Sequence, residues 1–359
     1  MIEEEPKYVM LTKWIKDQII SGNSSYGEKF YSENELSQMF SISRQTVRQA
    51  VGQLNAQGYL ERRQGSGTYV IYEPRTMREK TMNIAVISTY LDDYIFANII
   101  KGIERMLTRN RYSMQLTFTH NRVEKEARAL ESMLEKDIDG LIIEPTKSGL
   151  PNPNKKLYNE IKRKNIPVVF FNARYPDMDY PCISMDDRMA GYLVTKYLAD
   201  AGHRKIAAMF QSDDMQGHLR YSGYLEALSS SGLDIKSDRI LWYTTEHKKY
   251  LFNNPEAILN RIKGATGIVC YNDQLASNMI KFLKENGIKV SEDLSVISID
   301  NADIASMCDV PLTTAAHPMQ MLGETAANNL LKLIDDPYFD ASCSFCPKII
   351  ERESVRNLN

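Results

Sequence analysis

The sequence is poor in cysteine, tryptophan and histidine, and it carries no strong excess of either charge. Its five cysteines (Cys182, Cys270, Cys308, Cys343 and Cys346) are odd in number and scattered through 359 residues. That is no disulfide framework; it reads as a set of reduced thiols. Cys343 and Cys346 have C-x-x-C spacing but no second Cys or His pair beside them. A structural zinc site needs four ligands, so packing in a strand or loop is expected there, and no metal. Long apolar runs are missing as well. No stretch approaches the roughly 18 residues of a membrane span, and the N-terminal Met1-Ile-Glu-Glu-Glu-Pro6 is acidic. Neither membrane association nor a secretion signal is expected, and a cytoplasmic location is. No Walker loop, nucleophile–base pair or metal cluster is visible, which points away from an enzyme and from any cofactor.

What is present is ordinary globular composition, 43% hydrophobic and 25% charged. At about 100–200 residues per domain, the length implies two or three domains. The net charge of −2 argues against a broadly nucleic-acid-binding surface. Locally the balance differs. Segment 43–70 holds four arginines (Arg44, Arg48, Arg62, Arg63) against Glu61 alone, a net of +3. Any positive surface is therefore narrow.

The first 71 residues follow one pattern and the remainder another. Val9, Leu11, Trp14, Ile15 and Ile19 recur at helical spacing up to Gly22. Ser32-Glu-Asn-Glu35 has the form of a capping box before a short helix. Ser43 can cap a third helix that runs to about Gln57 and stops at Gly58. Two short strands then flank Gln64-Gly-Ser-Gly67. Residues 72–82 lack periodicity and read as a linker. From residue 83, short apolar runs alternate with amphipathic stretches, the latter at about 95–110, 123–136, 155–165, 187–202, 219–232, 255–263, 273–287 and 319–335. This alternation predicts parallel sheets covered on both faces. So many strands predict two α/β subdomains, with a cleft at the carboxyl ends of the strands. The expected domains are thus 1–71, a linker 72–82, and 83–359.

Two constellations carry chemistry. Ser43-Arg-Gln-Thr-Val-Arg-Gln-Ala50 places Arg44, Gln45 and Arg48 near one helical face, with Val47, Ala50, Val51 and Leu54 on the other. Arg suits guanine and Gln suits adenine in the major groove, and Thr46 at the helix start can meet phosphate. Arg62, Arg63 and the glycine-containing tip suit contact with backbone or minor groove. A helix with a solvated charged face remains the plain alternative. In the second region, polar groups follow the strands: Glu144, Asn172, Arg174, Asp186, Gln216, His218, Arg220, Asn272, Asp273, Asp300 and His317, with Tyr90, Tyr94 and Phe96 as aromatics. Sugars are held by carboxylates, amides and Arg, with a ring against their apolar face. Against that, Asp186, Asn272 and Asp273 can be helix caps alone, the histidines ordinary, and the aromatics core.

The run from Glu35-Leu36 through Ser43–Ala50, Gly58-Tyr59-Leu60 and Gly65-Ser66-Gly67-Thr68-Tyr69-Val70 resembles the GntR-family winged helix-turn-helix over residues 6–71. The resemblance implies an α+β DNA-binding domain contacting DNA through Asn34, Arg44, Gln45, Thr46, Arg48, Gln64 and Gly65, to which the charge of the hairpin adds Arg62. Position 34, often basic in relatives, is Asn here. Residues 82–356 resemble the periplasmic-binding-protein-like regulatory domain of the LacI/GalR family. They do so through Asn83–Ile87, Asp139–Ile143, Gly202–Ile206, Arg220–Tyr224, Cys270–Ala276 and Pro311–Thr314. That resemblance implies an effector site including Arg220 and Asp273. The combination is similar to the arabinose-responsive repressors of Gram-positive bacteria, whose effector loop Thr89–Phe96 resembles. It implies a homodimer joined through the C-terminal domain. The dimer would bind a palindromic operator and be released by a small sugar, with L-arabinose the first candidate. Another sugar or metabolite on the same scaffold stays open. So does a sugar receptor without regulatory role, although that would need a secretion signal. A fusion to an aminotransferase-like domain would need a Schiff-base lysine motif, which the sequence lacks.

Overall fold

The computed structural model describes residues 6–72, 80–90 and 95–359. The chain forms two compact units, Met1–Lys80 with Asp336–Phe339, and Thr81–Asp335 with Asp340–Asn359.

In the first unit, helices α1 (Lys7–Ile20), α2 (Glu33–Phe40) and α3 (Arg44–Ala56) precede strands β1 (Leu60–Arg63) and β2 (Gly67–Val70). The capping box read at Ser32 forms, with the Ser32 hydroxyl accepting from the Glu35 amide and the Glu35 carboxylate from the Ser32 amide. Ser43 caps α3 in the same sense. Leu11, Ile15, Leu36, Val47, Val51 and Leu54 are buried against one another. This core fixes α3 on α1 and α2 and leaves its other face in solvent. The hairpin pairs Leu60 with Val70 and Arg63 with Gly67.

The second unit contains two lobes, each built on a six-stranded sheet. The N-lobe holds β3 (Asn83–Ser88), α4 (Phe96–Arg109), β4 (Ser113–Phe118), α5 (Val123–Leu134), β5 (Gly140–Ile143), α6 (Lys155–Arg163), β6 (Val168–Phe171) and β7 (Cys182–Met185). The chain then crosses to the C-lobe. There it forms α7 (Asp187–Asp200), β8 (Ile206–Gln211), α8 (Met215–Ser230), β9 (Ile240–Tyr243), α9 (Pro255–Ile262), β10 (Gly267–Cys270), α10 (Asp273–Glu285), β11 (Ser295–Asp300), α11 (Asp303–Met307) and β12 (Thr313–Ala316). Helix α12 (Met319–Asp335) returns to lie on α4 and the N-lobe sheet. Finally β13 (Cys343–Phe345) joins the N-lobe and β14 (Lys348–Ile350) the C-lobe. The sheet orders are β13-β7-β6-β5-β3-β4 and β14-β12-β11-β10-β8-β9. All pairings in these two sheets are parallel except β12 with β14. Continuous burial of β3, β5, β6, β8, β10 and β11 explains why their sequences read as apolar runs.

Each lobe has one very close helix pair. In the C-lobe, a Cβ on Gly191 of α7 would lie 2.0 Å from the Arg220 carbonyl oxygen of α8, and one on Gly223 would lie 1.9 Å from that of Arg188. In the N-lobe, Gly102 of α4 and Gly323 of α12 meet the partner helix in the same way. Only glycine permits helix axes this near.

Several sequence expectations are corrected. The helix expected at 219–232 is Met215–Ser230, so Gln216 and His218 lie in its first turn rather than before it. Strands β7, β9, β12, β13 and β14 were not legible. Thr313-Thr-Ala-Ala316 is almost fully buried, yet its residues form no apolar run. The strand or loop position expected for Cys343 and Cys346 is what is found: Cys343 lies on β13 and Cys346 in the loop after it, both as free thiols.

Candidate functional sites: an arginine-bearing helix and a two-lobed cleft

On the first unit, Arg44, Gln45 and Arg48 are exposed on α3, and Asn34 is exposed on α2. The hydroxyl of Thr46 lies 2.8 Å from that of Ser43, so it is already engaged in the cap. Sequence reasoning missed Glu33. Its two carboxylate oxygens hold Arg48 through Nε at 2.8 Å and Arg62 through Nη2. One acidic residue therefore aligns helix α3 with the hairpin. Such exposed pairs contribute only about 0–1 kcal/mol, so both arginines can exchange Glu33 for another anion at little cost. Arg63 pairs with Glu61 and lies 4.4 Å over the Tyr69 ring. Gln64 and Gly65 form the exposed hairpin tip, where Gly65 takes a φ of 74°. Lys29, also unforeseen, runs over Gly67 beside that tip.

In the second unit a narrow cleft, partly open to solvent, lies between the lobes at the carboxyl ends of the strands. Thr89 and Tyr90 follow β3, Asn121 follows β4 and Glu144 follows β5. From the C-lobe come Gln211 and Asp214 around the end of β8, Thr245 and Lys248 after β9, Asn272 after β10, Asp300 ending β11, and Arg220 from α8. Arg220 is 1% exposed. Its Nε donates to Asp187 at 2.8 Å, its Nη1 to the Tyr271 carbonyl at 2.6 Å and its Nη2 to Asp300 at 3.3 Å. A guanidinium has five N–H donors. Three are spent on orientation, and two are left on a side chain that lines the cleft.

The carboxylates are tuned by burial. The carboxyl of Glu144 is pushed up to about 7 by desolvation, against the bonds it accepts from Asn172 and Thr89. Asp214 is pushed up to about 6 by desolvation, although Tyr271 donates to it at 2.6 Å. Tyr90 and Phe96 pack 5.9 Å apart on the N-lobe side of the cleft.

The cleft therefore brings together Tyr90, Phe96, Glu144, Gln216, Arg220, Asn272 and Asp300 of the expected contacts. Tyr94 lies outside the described residues. The others do not line the cleft, each for a visible reason. Asn172 lies behind it, donating to Glu144 at 3.0 Å. Asp186 caps α7, accepting from the Met189 amide at 2.9 Å. Asp273 turns inward, its carboxylate taken by Ser298, Thr314 and the Ala302 amide. Arg174 is exposed in the loop after β6. His218 bonds the Ser212 carbonyl at 2.8 Å and packs on Trp242. His317 is buried between β12 and α12, and burial, with the Arg220 charge, pushes its imidazole down to about 3. Asp214, Thr245, Lys248 and Asn121 were missed because each is a single polar residue in a connection or at a helix start, and only the fold collects them. No group of three or more metal-ligating side chains, and no helix long and apolar enough to cross a membrane, occurs among the described residues.

Known proteins share both halves. The family described as "Bacterial regulatory proteins, gntR family" matches residues 7–70, and a periplasmic binding protein-like domain matches residues 195–355. The arabinose metabolism transcriptional repressor of Geobacillus stearothermophilus is 37% identical, over 98% of each chain. The protein of the same name from Halalkalibacterium halodurans is 38% identical, over 98% of this chain and 97% of that one. The chain belongs to their family. It is a DNA-binding, sugar-sensing transcriptional repressor and not an enzyme. The crystal structure of the regulator CcpA of Lactococcus lactis, 29% identical, covers 76% of this chain and 99% of its own, with a TM-score of 0.68. That overlap places the two-lobed sensor of this repressor among LacI-type regulators, while its DNA reader is of GntR type.

Proposed function

We propose that the protein is a cytoplasmic homodimer that represses sugar-utilisation genes and leaves a palindromic operator when L-arabinose enters the cleft. The observation that carries the sugar reading is Arg220. It is a buried guanidinium fixed by two carboxylates and a carbonyl, with donors to spare, on the lobe opposite Tyr90 and Phe96. Adjacent hydroxyls suit the free N–H pair, and an aromatic wall suits the apolar face of a sugar ring. Glu144, Asp214, Gln211 and Lys248 add further polar groups for orientation. Arabinose in particular is supported by the names of the two full-length relatives.

The operator contacts in this reading are Arg44, Gln45 and Arg48 to bases, and Asn34, Thr46, Arg62, Gln64 and Gly65 to backbone. One winged helix offers little contact area, so two half-sites are needed, and the sensor supplies the dimer contact. A sugar acts only through its preference for one lobe arrangement over the other. Titrating L-arabinose into a complex of the full chain with its operator tests the reading. Operator affinity should fall as sugar saturates. The reading is overturned if arabinose leaves operator affinity unchanged while another small molecule abolishes it. A thermal-shift screen over a sugar panel identifies that molecule, because binding to the native state raises its melting point.

A further inference from the structure

The mouth of the cleft is bridged by the protein itself. The N-lobe loop after β5 meets the C-lobe loop after β8 through backbone donors. The Gly149 amide donates to the Asp213 carbonyl at 3.3 Å, and the Met215 amide donates to Ser148 Oγ at 3.0 Å. Beside them Asn121 donates through Nδ2 to Thr245 Oγ1 at 2.6 Å. The same Asn121 accepts from the Lys147 amide at 2.8 Å and so ties the two N-lobe loops together. Lys147 in turn pairs with Glu246 across the gap. On the C-lobe side, Asp213 accepts from the Thr245 amide at 3.0 Å, which ties its two loops in the same way.

Gly149 marks the tightest approach. A Cβ there would lie 2.9 Å from the Asp214 carbonyl carbon and oxygen and 3.0 Å from its nitrogen, and these three nearest atoms all belong to the opposite lobe. Real Cβ atoms do not come so close to backbone. Yet Gly149 is not among the residues of left-handed φ. Its own lobe makes no demand for glycine; the demand comes only from the lobe across the cleft.

We infer that Gly149 is the residue that lets the two lobes close, and that the loops around it form a latch favouring the closed sensor without any ligand. The inference rests on the proposed effector site only for its consequence, which is the sugar response. If the free sensor already spends part of its time closed, the closed form needs less from the sugar. The apparent affinity for sugar is set by the fraction of sensor that is competent to bind. The latch therefore sets the sugar concentration at which the repressor responds. The Lys147–Glu246 pair, with Glu246 largely exposed, contributes little to it. Asn121, Ser148 and the Gly149 contact carry most of it.

Hydrogen exchange of the full chain, read by mass spectrometry with no sugar present, tests the latch directly. In the wild type, peptides covering residues 145–150 and 212–215 should exchange slowly. In Gly149→Val both should speed up together by about tenfold, in keeping with the loss of a hydrogen bond's net stabilisation. Peptides covering β3, β8 and β10 should not change. Asn121→Ala should give the same paired change if Gly149→Val proves too unstable to purify. Sugar titrations should then show a weaker Kd for Gly149→Val, although Gly149 does not line the cleft. The latch is refuted if the wild-type loops exchange as fast as unstructured chain, or if Gly149→Val leaves both as protected as before. If no sugar binds the wild type, the effector reading fails, and the exchange result still decides the latch.

Discussion

The DNA reader and the sugar cleft are built in opposite ways. The reader's working residues lie within about thirty residues of sequence (Asn34 to Gly65), on a helix and a hairpin, exposed and held by weak ion pairs to Glu33. The cleft's residues come from Thr89 to Asp300, from two sheets, and its central cation Arg220 is almost completely buried. A reader must leave its arginines ready to exchange partners. A sensor must fix its cation before the ligand arrives, because reorganisation would be charged against affinity. The same residue type therefore appears loosely held in one region and fully committed in the other.

The sharpest way to probe this contrast is to remove the buried arginine. Arg220→Ala leaves Asp187 and Asp300 buried without their partner, which costs about 3–5 kcal/mol. The thermal transition of the sensor should fall by many degrees and the sugar-induced shift should vanish. A loss no larger than that of an exposed ion pair would mean that the commitment of Arg220 is overstated.

The next effect distinguishes the regions by pH. The carboxyl of Glu144 titrates at about 7 in the folded sensor, against its ordinary 4.5. Its protonated form is thus favoured by folding. That stabilisation is full below about 4.5 and is lost as pH rises through 7. Asp214, Asp273 and Glu126 are raised by burial as well and act with the same sign. Glu35, in the capping box of the reader, is lowered by the bonds it accepts from the Ser32 backbone and side chain. Its contribution is present above its ordinary 4.5 and lost as pH falls below that. His317, pushed down to about 3, and His203, also lowered by burial, act with the opposite sign below the ordinary imidazole value of 6.5. The Glu144 effect is therefore read against its variant: raising the pH from 5 to 8 should lower the melting temperature of the wild-type sensor relative to that of Glu144→Gln. Acidification below 4.5 should weaken the reader's α2. A difference between wild type and Glu144→Gln that stays constant from pH 5 to pH 8 would contradict the burial argument.

How much of this was legible in the sequence follows the same division. In the reader, Ser32, Glu35 and Ser43 announce the helix starts because caps are local chemistry, and the hairpin follows from Gly65 and Gly67. In the sensor, the apolar runs revealed the central strands, but the site itself was read only in part. Arg220, Glu144, Tyr90 and Phe96 line the cleft. Asp273, by contrast, sits after a strand at a helix start as a ligand group should, and only the fold shows its oxygens turned onto Ser298, Thr314 and Ala302. Asp214 was hidden because the first turn of α8, with Gly217 and His218, does not look helical. Lys248 and Thr245 belong to a connection, part of it a 3-10 helix from Lys248 to Asn253, whose sequence has no periodicity, so nothing local marks them.

Smaller tests concern the reader. Arg44→Ala should cost about 1–3 kcal/mol of operator binding and relax the preference at one base position. Competition between the operator and its single-base variants measures this. An equal loss on random DNA would reduce Arg44 to a phosphate contact. Ser32→Ala should cost about 1 kcal/mol of reader stability through the lost cap. Far-UV circular dichroism during denaturation reads it, and the sugar-induced thermal shift should be unaffected.

The path of the chain through the two lobes has a consequence for biosynthesis. The sheet of the N-lobe is completed by β13 and that of the C-lobe by β14, and Ser354 then bonds the Thr313 amide and the Val296 carbonyl. The N-lobe cannot finish folding until residue 345 has left the ribosome, nor the C-lobe until residue 354 has. The reader's helices and hairpin are contiguous and can form as soon as residue 70 emerges, since domains generally fold in order of synthesis. A nascent chain therefore displays its DNA-binding helix well before it has any means of sensing sugar.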